Sequence, residues 1–192
     1  MTIASVSQKP LSDPPAYRIQ LSNGWDLCIS TAYYEGRIPE CGAVLSEYEE
    51  SNLRFASLCF DAEQTALRLV RRAEQQSAGL TRKLQARGFH VSCVRLVVQE
   101  LAERGLVDDL RFARLWLQSR LPQKVESPRR LEAGLRSRGI EKRTAAAAIE
   151  SVLTPERELV LLKAFIKKYP EISALKSEGF SATVREMLRE EG

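Results

Sequence analysis

Gly105-Leu106-Val107-Asp108-Asp109-Leu110-Arg111-Phe112-Ala113-Arg114-Leu115-Trp116 reads as the end of one helix, a short loop and the start of the next. Asp108 or Asp109 is placed to cap the new helix, because a carboxylate there accepts hydrogen bonds from unpaired amides and meets the positive end of the dipole. Phe112, Leu115, Trp116 and Ser119 recur at helical spacing, with Arg111, Arg114 and Gln118 on the opposite face. The spacing predicts one side that packs and one that meets solvent or a charged partner.

Outward from this stretch the pattern stays helical and repeats. Leu84 followed by Gly88-Phe89, Leu135 followed by Gly139-Ile140, and Leu175 followed by Gly179-Phe180 share one form. Each places glycine just past a helix end, with an apolar residue after it to touch the last turn's leucine. The spacing is irregular, as in tandem modules with loops of different length. Three three-helix repeats are expected. Residues 61–107 hold helices near 62–74, 77–87 and 91–104. Residues 108–153 hold 108–121, 128–138 and 141–152, with Ser127-Pro128 as cap and first turn. Residues 154–192 hold 155–168, 171–178 and 181–190. The run Ala145 to Ala148 favours helix and lets a neighbouring helix approach closely.

Ahead of the repeats, residues 1–15 read as a disordered tail with Pro10, Pro14 and Pro15. Residues 16–60 read as a β-hairpin plus a helix. A three-residue loop, Ser22-Asn23-Gly24, pairs Leu21 with Trp25 and Ile19 with Leu27 and keeps both apolar sets on one face. Ser46 with Glu49 forms a capping box for a helix near 47–57, and Asp61 with Gln64 suggests another start. The fold class expected is mainly α: tandem three-helix repeats in an elongated, curved array, with a small N-terminal β-hairpin segment.

The charge is unevenly spread. Residues 1–61 carry four basic and eight acidic side chains, residues 62–155 eighteen and ten, and residues 156–192 seven of each. The central excess is mostly arginine, whose planar fork suits phosphate and carboxylate. No apolar run is long enough to span a membrane, and the N-terminus lacks the pattern of a secretory signal. Cys28, Cys41, Cys59 and Cys93 are scattered and His90 is the only histidine, so reduced, buried thiols are expected rather than a metal site. No phosphate-binding glycine loop of the GxxxxGK[ST] form is present, and helix capping accounts for Asp108-Asp109 better than a metal-dependent nuclease does. The chain reads as a cytoplasmic protein that is not an enzyme and uses no cofactor.

Gly105 to Trp116 resembles the signature of the RecX family, bacterial regulators of the RecA recombinase. Ser77-Ala78-Gly79-Leu80-Thr81-Arg82-Lys83-Leu84-Gln85-Ala86-Arg87-Gly88-Phe89 is similar to that family's second helix, and Pro128-Arg129-Arg130-Leu131 through Leu135 and Arg138-Gly139-Ile140 is similar again. The resemblance covers residues 60–155 well and the rest loosely. Glu74-Gln75-Gln76 stands where the family has arginine, and Ser127 where it has glycine. The resemblance implies a regulator that binds the RecA–DNA filament and inhibits or modulates its ATP hydrolysis, strand exchange and growth.

The residues themselves supply a basic surface. Arg129 and Arg136, seven apart, share a face turned away from Leu131 and Leu135. Arg111, Arg114, Arg120, Lys124, Arg130, Arg138, Lys142 and Arg143 lie on or near the same repeat, and Arg71, Arg72, Arg82, Lys83 and Arg87 on the one before. Modules in a row would align these cations into a stripe that attracts a polyanion or an acidic groove without reading base sequence. Weak, non-specific binding of single- and double-stranded DNA by a monomer follows. The alternative is a general, non-sequence-specific nucleic-acid-binding helical protein; a structural adaptor with solvated charges is the third reading.

Overall fold

Three antiparallel strands and seven helices make up the described part of the chain, residues 1–10, 12–121 and 126–168 of a computed structural model. The last two helices expected for the third repeat, the Gly179 turn and Lys124 lie outside the described residues. The chain divides into two compact units, Met1–Val107 and Asp108–Gly192.

In the first unit, β1 (Ile3–Gln8), β2 (Ala16–Leu21) and β3 (Asp26–Ser30) form a sheet in chain order. The hairpin has the expected register: Ile19 faces Leu27, the Leu21 amide donates to the Trp25 carbonyl, and Gly24 takes a positive φ of 86°. The N-terminal residues expected to be disordered instead supply the edge strand β1, with Ile3 opposite Leu21 and Val6 opposite Ile19. Ile3 is the one fully buried side chain of that strand, and a register shift between Ile3 and Ser5 breaks its alternation, so its pattern carries little signal. Trp25 does not join the core; it is 48% exposed, under the Arg54 guanidinium at 3.9 Å.

The helix α1 (Glu47–Arg72) begins at the expected capping box. The Ser46 side chain accepts from the Glu49 amide and the Glu49 carboxylate accepts from the Ser46 amide at 2.8 Å. It does not stop near residue 57, and no second helix starts at Asp61. No glycine or proline interrupts residues 47–72, and Leu53, Ala56, Cys59, Ala62 and Ala66 continue one buried stripe through the expected break. At about 1.5 Å per residue this 26-residue helix is about 39 Å long. It packs on β3, α2 (Ser77–Gln85) and α3 (Val91–Glu103). The sheet and these helices share one core that includes Ile19, Ile29, Leu53, Leu80, Leu84 and Leu101. The boundary expected at residue 60/61 therefore runs through the middle of a helix within one unit. Truncating any of these leucines to alanine costs about 2–5 kcal/mol.

Of the four cysteines, only Cys59 and Cys93 are buried; Cys28 is half-buried and Cys41 exposed, which corrects the expectation of four buried thiols. The Cys59 and Cys93 sulfurs lie 2.9 Å apart in the core. Arg104 ties the segment before β2 to α1, donating to the Asp13 carbonyl and to Glu63, both at 2.8 Å.

The second unit contains α4 (Asp109–Arg120), α5 (Pro128–Arg136), α6 (Lys142–Val152) and α7 (Pro155–Lys168). Asp108 caps α4, accepting from the amides of Leu110 at 2.8 Å and Arg111 at 2.9 Å. The buried face of α4 differs from the expected one. Ala113 and Leu117 are fully buried, Phe112 and Trp116 pack at the margin, and Leu115 and Ser119 are exposed. The small side chains Ala113, Ala145 and Ala148, all inaccessible, allow α4 and α6 to approach closely. That leaves no room for the aromatic residues at the centre. The glycine turns recur as expected in both units. Gly88 and Gly139 have φ of 87° and 94°, and the next amides, of Phe89 and Ile140, bond back to Leu84 and Leu135.

Candidate functional site

The cations of the second unit fall into two groups. On α5, Leu131 and Leu135 are fully buried while Arg129 and Arg136 stand exposed on the other side, with the half-buried Glu132 between them. Neither arginine has an ion-pair or hydrogen-bond partner among the described residues. Lys142 and Arg143, in the first turn of α6, are likewise exposed. Exposed cationic side chains of this kind are able to meet an anion.

The second group is engaged by neighbouring side chains and carbonyls of the same unit. The Arg120 guanidinium pairs with Glu126, whose carboxylate is 5% exposed; Arg120 Nη2 donates to Oε1 at 2.8 Å. This hydrogen bond holds the Arg120 proton above its ordinary affinity. Arg130 approaches the same carboxylate at 3.5 Å. Arg120 and Arg138 both lie over the Trp116 ring, 4.9 and 4.7 Å from its centre, and Arg138 also donates to the Gly134 carbonyl at 2.7 Å. These contacts hold a half-buried indole between cations. Arg114 donates to Ser151 at 3.0 Å, joining α4 to α6, and Arg111 is half-buried. Sequence alone ranked all of these arginines together; the structure separates those that hold the unit from those with no partner among the described residues.

In the first unit Arg71, Arg72, Arg82, Lys83 and Arg87 are all exposed. Lys83 is held by the Gln75 side chain at 2.6 Å. Arg72 and Arg87 line a cleft of about 350 Å³ with Thr65, Arg68, Leu69 and Phe89. Arg68 was not singled out from sequence, although it lies one turn before Arg72 and so on the same face of α1. Among the described residues no acidic side chain lines this cleft. Arg71 points elsewhere, to a cleft of about 460 Å³ whose lining includes Lys9, Asp13, Phe60, Glu63 and Arg104. There Lys9 sits 4.8 Å from the Phe60 ring centre, and burial raises the Glu63 carboxyl although Arg104 opposes the shift.

Among the described residues no group of three or more His, Cys, Asp and Glu side chains could hold a metal ion. His90 has a structural role that sequence did not assign: its Nδ1 caps α3, accepting from the Ser92 amide at 3.3 Å. No helix among the described residues is long and apolar enough to cross a membrane.

Residues 108–149 match a family model described as RecX, second three-helix domain. The chain is 33% identical over 114 residues to a regulatory protein RecX of Treponema pallidum, covering 59% of this chain and 70% of that one. To the regulatory protein RecX of Thermobifida fusca it is 30% identical over 127 residues, 66% of this chain and 67% of that one. A crystal structure of a regulatory protein RecX superposes with a TM-score of 0.72 at 19% identity over 98% of both chains. The RecX structure from Lactobacillus salivarius gives 0.56 at 17% identity, over 71% of this chain and 97% of that one.

Proposed function

This chain belongs to the RecX family of regulatory proteins, and from that membership we propose that it binds the RecA–DNA filament and restrains it. Restraint here means slower ATP hydrolysis, less strand exchange and less filament growth. The observation that carries the reading is the α5 face, where Arg129 and Arg136 are exposed and have no partner among the described residues, while their neighbours Arg120 and Arg138 are engaged within the same unit. Exposed arginine forks suit a groove lined by carboxylates and phosphates, which a nucleoprotein filament offers. The chain would act as a cytoplasmic monomer without a cofactor and without catalysis of its own.

A second reading, general binding of nucleic acid without a recombinase, is favoured by the arginine-lined cleft of the first unit. Sequence-specific readout is disfavoured, because beyond Lys142 and Arg143 of its first turn the exposed face of α6 presents Ala146 and Ala147, which cannot hydrogen-bond to base edges. The test is RecA ATP hydrolysis on single-stranded DNA with increasing amounts of this protein. Suppression that persists when single-stranded DNA is in large excess supports action on the filament. Suppression abolished by excess DNA supports the second reading, and an unchanged rate overturns the first.

A further inference from the structure

We propose that the cleft between the end of α1 and the turn after α2 binds the backbone phosphates of single-stranded nucleic acid, with a nucleoside resting on Leu69 and Phe89. Three guanidinium groups, of Arg68, Arg72 and Arg87, line it without any carboxylate among the described residues. Two are set in place by the chain itself. Arg68 donates to the Gln64 carbonyl at 3.2 Å and to Thr65 Oγ1 at 2.9 Å, and Arg87 donates to the Lys83 carbonyl at 2.7 Å. Each guanidinium has five N–H donors, so most remain available, and Arg72 uses none within the described residues. Like charges gathered in a cleft without a counterion repel one another, and an anion relieves that repulsion. One carboxylate would compensate a single charge, whereas successive phosphates of a strand bring one each.

The floor of the cleft selects the rest of the ligand. Phe89 is half-buried, and the Gly88 turn fixes its position through the bond from its amide to the Leu84 carbonyl at 3.3 Å. An aromatic ring beside cations receives the face of a base, and only an unpaired base exposes that face. A volume of about 350 Å³ lies within the range of small-molecule sites, enough for one nucleotide unit. The inference rests on the proposed work at DNA filaments only for the source of the strand.

The test uses the full chain and no recombinase. Fluorescence anisotropy would follow a labelled oligothymidylate about eight nucleotides long, within the span that such sites cover. Replacing Arg72→Ala with Arg87→Ala is expected to weaken binding at least tenfold and to flatten the salt dependence by about 1.4 in log–log slope, two phosphates' worth for a single strand. Replacing Arg37→Ala with Arg95→Ala, two exposed positions outside the cleft, removes the same charge and is expected to change affinity less than threefold. Phe89→Leu is expected to weaken the single strand while leaving a duplex of equal length unaffected, and Phe89→Tyr, which keeps the ring, should bind as the original does. Equal losses from both arginine pairs, no loss from the cleft pair, or tighter binding of oligoglutamate than of the oligothymidylate would each overturn the assignment. Because RecA is absent, failure here leaves the ATP-hydrolysis result standing, and failure there leaves the cleft standing.

Discussion

Gly134 of α5 lies directly against Trp116 of α4: a Cβ added to Gly134 would stand 2.8 Å from Trp116 Cη2. Glycine inside a helix costs about 1 kcal/mol relative to alanine, so on propensity alone Gly134→Ala would stabilise α5. The indole is rigid and held by two arginines, and forcing a methyl group against it costs about 1–3 kcal/mol. The net expectation is destabilisation by about 1 kcal/mol. Urea unfolding of Gly134→Ala, Trp116→Phe and the double variant checks this. The double variant should recover most of the loss, because the smaller ring vacates the contact.

Arg120 and Arg136 should separate structure from function, although sequence placed both in one binding surface. Arg120→Ala withdraws the main partner of the buried Glu126 carboxylate and one cation from Trp116. Arg130, at 3.5 Å, compensates only in part. Arg136→Ala removes an exposed side chain and should alter stability by about 0.5 kcal/mol or less. Thermal unfolding should therefore show a lower midpoint for Arg120→Ala and an unchanged one for Arg136→Ala. Equal midpoints would mean that the Arg120–Glu126 pair does not hold the unit.

Much of the fold was legible because its signals are local. The Gly24 loop fixes the hairpin register, Ser46 with Glu49 starts α1, Asp108 starts α4, and Gly88 and Gly139 end α2 and α5. What escaped depends on tertiary partners. β1 holds one buried side chain, so only pairing with β2 makes it a strand. The Asp61-to-Gln64 pattern mimics a cap but sits where α1 is already packed on both sides of it. On α4, alanine rather than the aromatic residues marks the core, because close approach to α6 matters more there than hydrophobic bulk. In the candidate site, sequence showed that the middle of the chain is basic. It could not show that Glu126 and Trp116 engage Arg120 and Arg138, or that Arg68 joins Arg72 and Arg87, since those partners come together only in the folded units.

Glu63 should give the first unit a pH-dependent stability. Burial raises its carboxyl above the ordinary value of 4.5, with Arg104 pulling the other way and Glu100 adding to the rise. The folded chain then holds this proton more tightly than the unfolded chain. Its contribution to stability is fully present below about 4.5 and is lost as pH rises through the higher folded value, where the buried group must ionise. Glu63→Gln removes that titration. The midpoint of the variant relative to the original should therefore increase as pH rises from about 4.5 toward neutrality, then level off. A difference that stays constant or shrinks would show that Arg104 outweighs burial.

Charge reversal on α5 distinguishes a docking face from bulk electrostatics. Arg129→Glu with Arg136→Glu changes two exposed cations, without partners among the described residues, on one side of a nine-residue helix whose other side buries Leu131 and Leu135. The fold should survive, since exposed substitutions usually alter stability by about 0.5 kcal/mol or less. A groove lined by phosphates or carboxylates would then meet repulsion where it had met charge-assisted hydrogen bonds. Potency in suppressing RecA ATP hydrolysis should fall at least tenfold, which corresponds to about 1.4 kcal/mol. Arg37→Glu with Arg95→Glu, two exposed positions of the first unit outside the arginine-lined cleft, makes the same change in net charge. That variant should lose less than threefold. Equal losses would assign the effect to net charge, and full potency in both would remove α5 from the binding surface.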